Sequence, residues 1–152
     1  MISLEPEMTY RVRTSKPLDP TRGSPFGAVQ YWEVSEAALS GRRINATLSA
    51  TGGDWMQMSE DGFWRPQVRA QFVTDDGAVV LMRYTGLVQQ TPAFKRAAEE
   101  DQPTRWDDQY MRLSITFATN DERYRWLEQS LFIAAGRLLG TGQIEYAIHR
   151  VT

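Results

Sequence analysis

The sequence predicts an all-β fold of about nine antiparallel strands, a barrel or a sandwich, with a short capping helix and one helical or loop insertion. Three observations carry this. Apolar and polar residues alternate with a period of two through most of the chain. Gly, Pro, Asp and Asn clusters separate most neighbouring runs. Helical patterning is confined to two short stretches, so the βαβ alternation of a parallel sheet is missing.

The runs follow in order. Residues 7–14 (EMTYRVRT) read as a first strand, followed by a loop containing Pro17, Pro20, Gly23, Pro25 and Gly27. Residues 28–35 and 43–50 read as strands, and Gly52-Gly53 as a tight turn using glycine's freedom at positive φ. A short strand near 55–59 meets the turn signal Asp61-Gly62. Strands at about 64–74 and 78–85 flank Asp75-Asp76-Gly77, a hairpin signal. Residues 88–108 break the alternation: Pro92 to Glu100 suits a short helix with proline in its first turn, and the charged piece after it a loop or lid. Residues 109–118 (QYMRLSITFA) alternate most clearly. Residues 121–129 make a short helix capped by Asp121 or Asn120. Strands at about 130–136 and 142–151 close the chain, joined by a turn holding Gly136, Gly140 and Gly142.

The 152 residues suit one domain, 1–152, with a substantial core. A net charge of −2 without a basic cluster argues against nucleic acid as a partner. No apolar run approaches the roughly 20 residues of a membrane-spanning helix. Met1 to Tyr10 lacks a basic-then-apolar signal pattern, so a cytoplasmic address is expected. There is no cysteine, and His149 is the single histidine. Disulfides, thiolate nucleophiles, Ser-His-Asp arrangements and His- or Cys-based metal sites are thereby set aside. No metal site is assigned.

In 109–118, Met111, Leu113, Ile115 and Phe117 share one face; Tyr110, Arg112, Ser114 and Thr116 share the other. In 67–73, Gln67, Arg69, Gln71 and Val73 alternate with Val68, Ala70 and Phe72. Two arrangements remain open. Either the apolar rows fill the lumen and the polar rows meet water, or the polar rows line a ligand-holding interior.

An ordered set of motifs runs through the chain: Gly52-Gly53-Asp54-Trp55, Asp61-Gly62, Arg69, Thr74 to Gly77, Gly86, Tyr110 with Arg112, Phe117 with Thr119, Tyr124 with Trp126-Leu127, and Leu131-Phe132. In order and spacing it resembles the small bacterial and fungal proteins of the domain of unknown function 3237, also called uncharacterised protein family 0311, over about residues 30–151. The resemblance implies a compact antiparallel β-barrel, often oligomeric, with a pocket at or in the barrel. It also implies action on small aromatic or hydrophobic molecules, decarboxylation coupled to ring opening among them, with no cofactor as a family trait. The chain departs from the pattern at Ala70, Gln67, Ala118 and Glu128, where a tyrosine, an acidic residue, a glutamate and an asparagine are expected.

The candidate catalytic residues are Asp54, Tyr110 and Arg112. Beside an apolar wall Asp54 would have a raised pKa and serve as general acid or base; as a turn residue it would only accept backbone N–H bonds. Arg112, helped by Arg69, offers a planar fork of donors to a carboxylate or phenolate; the plainer role for either is an ion pair with a neighbouring strand. Tyr110 could donate a proton or hold an oxyanion beside that cation. Tyr84 could do the same from a strand end, or be a rim tyrosine wetting its hydroxyl. Trp55, Tyr31 and Trp64 are candidate substrate-binding walls, with Trp32 and Trp106 as further aromatics; Tyr124 and Trp126 read as a plug at one barrel end. Asp75 and Asp76 read as a turn rather than a metal pair, and His149 as structural.

Two functions stand open. One is a cofactor-independent lyase or isomerase acting on a small aromatic or hydrophobic acid anchored by arginine. The other is a non-catalytic carrier of a similar acid. A homo-oligomer is expected in either case, and a purely structural oligomer is the third and weaker possibility.

Overall fold

In a computed structural model, which describes residues 1–18, 21–25 and 27–152, ten strands form one closed antiparallel barrel. They are β1 (Leu4–Thr14), β2 (Ala28–Gly41), β3 (Asn45–Leu48), β4 (Gly52–Met58), β5 (Phe63–Arg65), β6 (Gln67–Thr74), β7 (Val79–Gln89), β8 (Met111–Ala118), β9 (Leu131–Gly140) and β10 (Gln143–Val151). The helix α1 (Pro92–Glu99) lies between β7 and β8, and a 3-10 helix (Glu122–Leu127) between β8 and β9. Pro20 of the first loop falls outside the described residues.

The ten strands make eight staves. β3 and β4 share one position, each pairing with β2 on one side and β6 on the other. β5 and β6 share another, both pairing with β4 and β7 and interrupted at Pro66, which has no N–H to give the ladder. The sheet closes where β1 meets both β2 and β10. The expected strand at 64–74 is therefore one stave broken by its proline. This accounts for ten strands where about nine were expected.

The apolar rows face inward. Met111, Leu113, Ile115 and Phe117 of β8 are buried, as are Val68, Ala70 and Phe72 of β6 and Val80, Met82 and Tyr84 of β7. One barrel end is filled solid. Phe132 packs edge-on against Phe117 and Trp126, with ring centroids 5.2 and 6.1 Å away, and the 3-10 helix closes that end. Asp121 caps this helix by accepting from Arg123 N–H. Tyr124 fastens it to the β6–β7 hairpin by donating its hydroxyl to Asp76 Oδ1 at 2.8 Å. Asp76 is thus a structural turn residue.

Two glycine expectations are corrected. Gly52 and Gly53 lie within β4, and the turn before it falls at 49–51, with Ala50 at φ 64°. Glycine is needed there for space: a Cβ at Gly53 would stand 2.6 Å from Tyr31 Cε2, and one at Gly52 2.9 Å from the Arg69 carbonyl oxygen. Gly136 and Gly140 belong to β9, leaving Thr141-Gly142 as the turn into β10. A sharper case is Gly86, where a Cβ would collide with the Arg112 carbonyl oxygen on β8. Gly86→Ala is expected to lower stability by about 1–3 kcal/mol in urea denaturation, because two paired backbones must part to admit the methyl group. An unchanged midpoint would contradict this packing.

Candidate functional site

The barrel end opposite the 3-10 helix is left open inside. A cavity of about 430 Å³ enters the lumen there. Its walls are the inward residues of the staves, among them Val12, Val34, Met56, Val68, Val88 and Met111. Trp32 and Trp64 add aromatic surface, and α1 lies at the mouth with Phe94, Lys95, Ala98 and Glu99. This helix forms because Thr91 caps it, accepting from Phe94 N–H at 3.1 Å, and Pro92 opens its first turn. Its far end is tied to the β9–β10 turn: Thr141 donates its hydroxyl to Ala98 O and its N–H to Asp101 Oδ1.

Asp54 is the carboxylate inside this apolar chamber, only 6% exposed. Alternation puts it there: Gly53 and Trp55 take the outer face of β4 while Asp54 and Met56 take the inner. Its Oδ1 accepts the Gln67 N–H at 3.0 Å, the donor freed where the stave breaks at Pro66. Among the described residues no group donates to its Oδ2. Burial outweighs that single bond and pushes its pKa up from 3.8 to about 6.

Three tyrosines form the chamber's inner wall. Tyr84 and Tyr146 line the cavity, and Tyr10 lies behind them, stacked on Tyr146 at 5.7 Å and edge-on to Tyr84 at 5.8 Å. The Tyr10 and Tyr84 hydroxyls are 3.4 Å apart. Burial, reinforced by the Asp54 charge, raises all three tyrosines above the ordinary phenol range, so they stay neutral and can donate. The chamber therefore combines a carboxyl group poised near neutrality, neutral hydroxyls and extensive apolar wall.

The structure divides the expected site residues between two sides of the sheet. Asp54, Tyr84 and Trp64 line the lumen. Tyr84 sits mid-strand rather than at a rim. Arg112, Tyr110, Arg69, Trp55 and Tyr31 are outside, Trp55 being 48% and Tyr110 47% exposed. The reading that put polar rows inside is thus overturned, and Tyr110 and Arg112 are not brought together with Asp54. The reason is parity: the apolar partners of these rows fill the barrel, so the rows themselves must face out. Nor, among the described residues, do the arginines form the ion pairs considered for them. Arg112 donates to Met111 O at 2.9 Å and lies over the Tyr110 ring. Arg69 and its cross-strand neighbour Arg83 share a shallow outer depression of about 420 Å³ with Trp55. Trp106 is also outside, under Arg137.

Sequence reasoning missed Tyr10, Tyr146 and Lys95, and counted Trp32 only among the aromatics that could line a pocket. The tyrosines stand in otherwise apolar rows (Met8, Tyr10, Val12; Ile144, Tyr146, Ile148), which is a signal that strand parity offers. His149 Nδ1 lies 3.3 Å from Ala147 O, a local backbone contact. Among the described residues no three His, Asp or Glu side chains are grouped to hold a metal ion, and no helix is long and apolar enough to cross a membrane.

The Asp54 shift has a thermodynamic consequence. Between about pH 4 and 6 the folded chain keeps a proton that the unfolded chain has released, so stability falls as pH rises through this window. Above it the full cost of burying the charge applies, at most about 3 kcal/mol. Asp54→Asn retains an acceptor for Gln67 N–H and removes the charge. Its melting temperature should match the wild type near pH 4 and exceed it by several degrees at pH 7.5. Equal melting temperatures at both pH values would contradict a buried, destabilised carboxylate.

Solved structures share this architecture along the whole chain. A protein of unknown function from Rhodopseudomonas palustris matches with a TM-score of 0.88 at 20% identity, covering 100% of this chain and 99% of that one. A β-barrel-like protein from Acinetobacter baumannii matches with a TM-score of 0.82 at 20% identity, covering 100% and 97%. A fungal protein from Penicillium herquei, described as an enzyme, matches at 0.63 and 13% identity, covering 100% and 94%. At these identities they speak for the fold. No curated protein matches the chain. The model of the family "Protein of unknown function (DUF3237)" matches residues 2–151, and the chain belongs to that family.

Proposed function

We propose that this protein is a lyase or isomerase that moves a proton within a small aromatic or hydrophobic substrate held in the barrel lumen, with Asp54 as its general acid–base. The observation that carries the reading is a buried carboxyl group, with its pKa at about 6, set in a largely apolar chamber of ligand size. In an isomerisation the ionised form of Asp54, dominant above pH 6, begins the cycle as the base and returns the proton as the acid; in a decarboxylation its protonated form acts first, as the acid. The outward arginines cannot anchor a substrate anion here, and that part passes to Lys95 at the mouth, the cation among the lining residues. Decarboxylation coupled to ring opening is one reaction such groups would serve, and this reading calls on no cofactor. The relative from Penicillium herquei is described as an enzyme, which is in keeping with catalysis in such a barrel. We also expect a homo-oligomer, since Tyr31, Trp55, Leu81 and Ile133 leave apolar surface on the outer face.

The apolar walls would equally serve a carrier, and one experiment separates the two. Thermal shift against a panel of aromatic and hydrophobic acids reports binding, while mass spectrometry of the same wells reports conversion. An enzyme stabilised by a hit should convert it, with kcat/KM for isomerisation rising with pH to a plateau above about pH 6 and for decarboxylation falling over the same range. Asp54→Asn should keep the thermal shift and lose about 10²–10⁴-fold in turnover. Stabilisation without conversion would favour the carrier, and silence across the panel would reject this substrate class.

A further inference from the structure

The proton-transfer reading leaves Trp32 unused. Trp32 on β2 and Asp54 on β4 are directly opposed partners of one antiparallel ladder, and both side chains line the cavity. Residues so paired have Cβ atoms about 4.5–5.5 Å apart. The Trp32 indole Nε1–H is shielded from solvent and finds no acceptor among the described residues. An indole nitrogen can only donate, and leaving a buried donor unpaired costs free energy that a phenylalanine of similar shape would not incur. An unpaired donor and a base on directly opposed residues of one largely apolar chamber are half of a recognition pair.

Resting on the proposed function, we infer that the substrate is a hydrophobic ketone or β-keto acid. Its carbonyl oxygen takes the Trp32 N–H, and its adjoining carbon faces Asp54. In the ketone case the Asp54 carboxylate removes the proton from that carbon. The C–H electron pair becomes the new C=C bond, and the carbonyl π pair moves onto oxygen, where Trp32 N–H meets the developing charge. Returning the proton to another carbon of the enolate isomerises the substrate. In the β-keto acid case the bond to the carboxylate breaks instead. Carbon dioxide leaves, its bonding pair forms the same enolate, and protonated Asp54 supplies the proton that quenches it and regains one from solvent water. One donor and one base thus serve both lyase and isomerase outcomes without a co-reactant.

The test uses the ¹⁵N-labelled protein and two probes of similar shape, 2-acetylnaphthalene and 2-ethylnaphthalene, of which only the first carries an acceptor. Five tryptophans give five indole N–H signals, and Trp32→Phe identifies the one that disappears; contacts to Val34 protons identify it if that variant does not fold. The ketone should move the Trp32 N–H proton downfield and bind about tenfold more tightly than the hydrocarbon. In Trp32→Phe that preference should vanish while hydrocarbon affinity stays. If both probes shift Val34 and Leu138 methyl signals yet leave Trp32 N–H alike and bind equally, the inference is overturned and the lumen site survives. If neither probe shifts any lumen signal, the inference falls together with the lumen site.

Discussion

An eight-stave barrel has an interior wide enough to be filled by side chains or to hold one small ligand, and this chain does one at each end. Near the 3-10 helix the inward rows carry Phe72, Phe117 and Phe132, and the lumen is solid. Towards α1 the inward rows leave a chamber of about 430 Å³. Between them Tyr10, Tyr84 and Tyr146 form a partition, large enough to stop the packing and polar enough to face a ligand. Everything functional in this account depends on that division, because the solid end fixes the staves whose open end displays Asp54 and Trp32.

Asp54 is expensive for the fold, and its setting explains why it stays tolerable. A carboxylate buried in apolar surroundings is destabilised unless bonded, and here it has one backbone donor, Gln67 N–H, available because Pro66 interrupts the stave. One bond offsets part of the desolvation, and the remainder appears as the raised pKa. A residue with no role beyond the fold would be better replaced by asparagine or an apolar side chain. Unpaired polar groups of this kind concentrate at sites that bind or react.

Strand parity made most of the fold legible in the sequence. The alternation of 109–118, the hairpin at 75–77 and the helix after Thr91 all stand where their residues place them. Gly52-Gly53 misled because glycine serves two ends, positive φ and close approach, and only neighbours from other strands decide between them. Parity also separated the two rows of β8 without saying which faced in, so Arg112 and Tyr110 went to the wrong side. Asp54 stood out through the family resemblance carried by Gly52-Gly53-Asp54-Trp55, since the local pattern alone reads equally as a turn aspartate. Its opposition to Trp32 depends on the β2–β4 register, which no local pattern encodes. The tyrosine partition is assembled from β1, β7 and β10, residues far apart in the chain that only barrel closure brings together.

The central claim is that the lumen holds an aspartate charged and discharged near neutral pH. Carbon-13 NMR of the side-chain carboxyl groups measures this directly, with Asp54→Asn identifying the Asp54 signal. Asp54 is expected to titrate at about pH 6 in the free protein, above the ordinary aspartate range near 4. Titration at or below pH 4 would mean that the carboxylate is solvated or paired, and would contradict the chamber as a site of proton transfer.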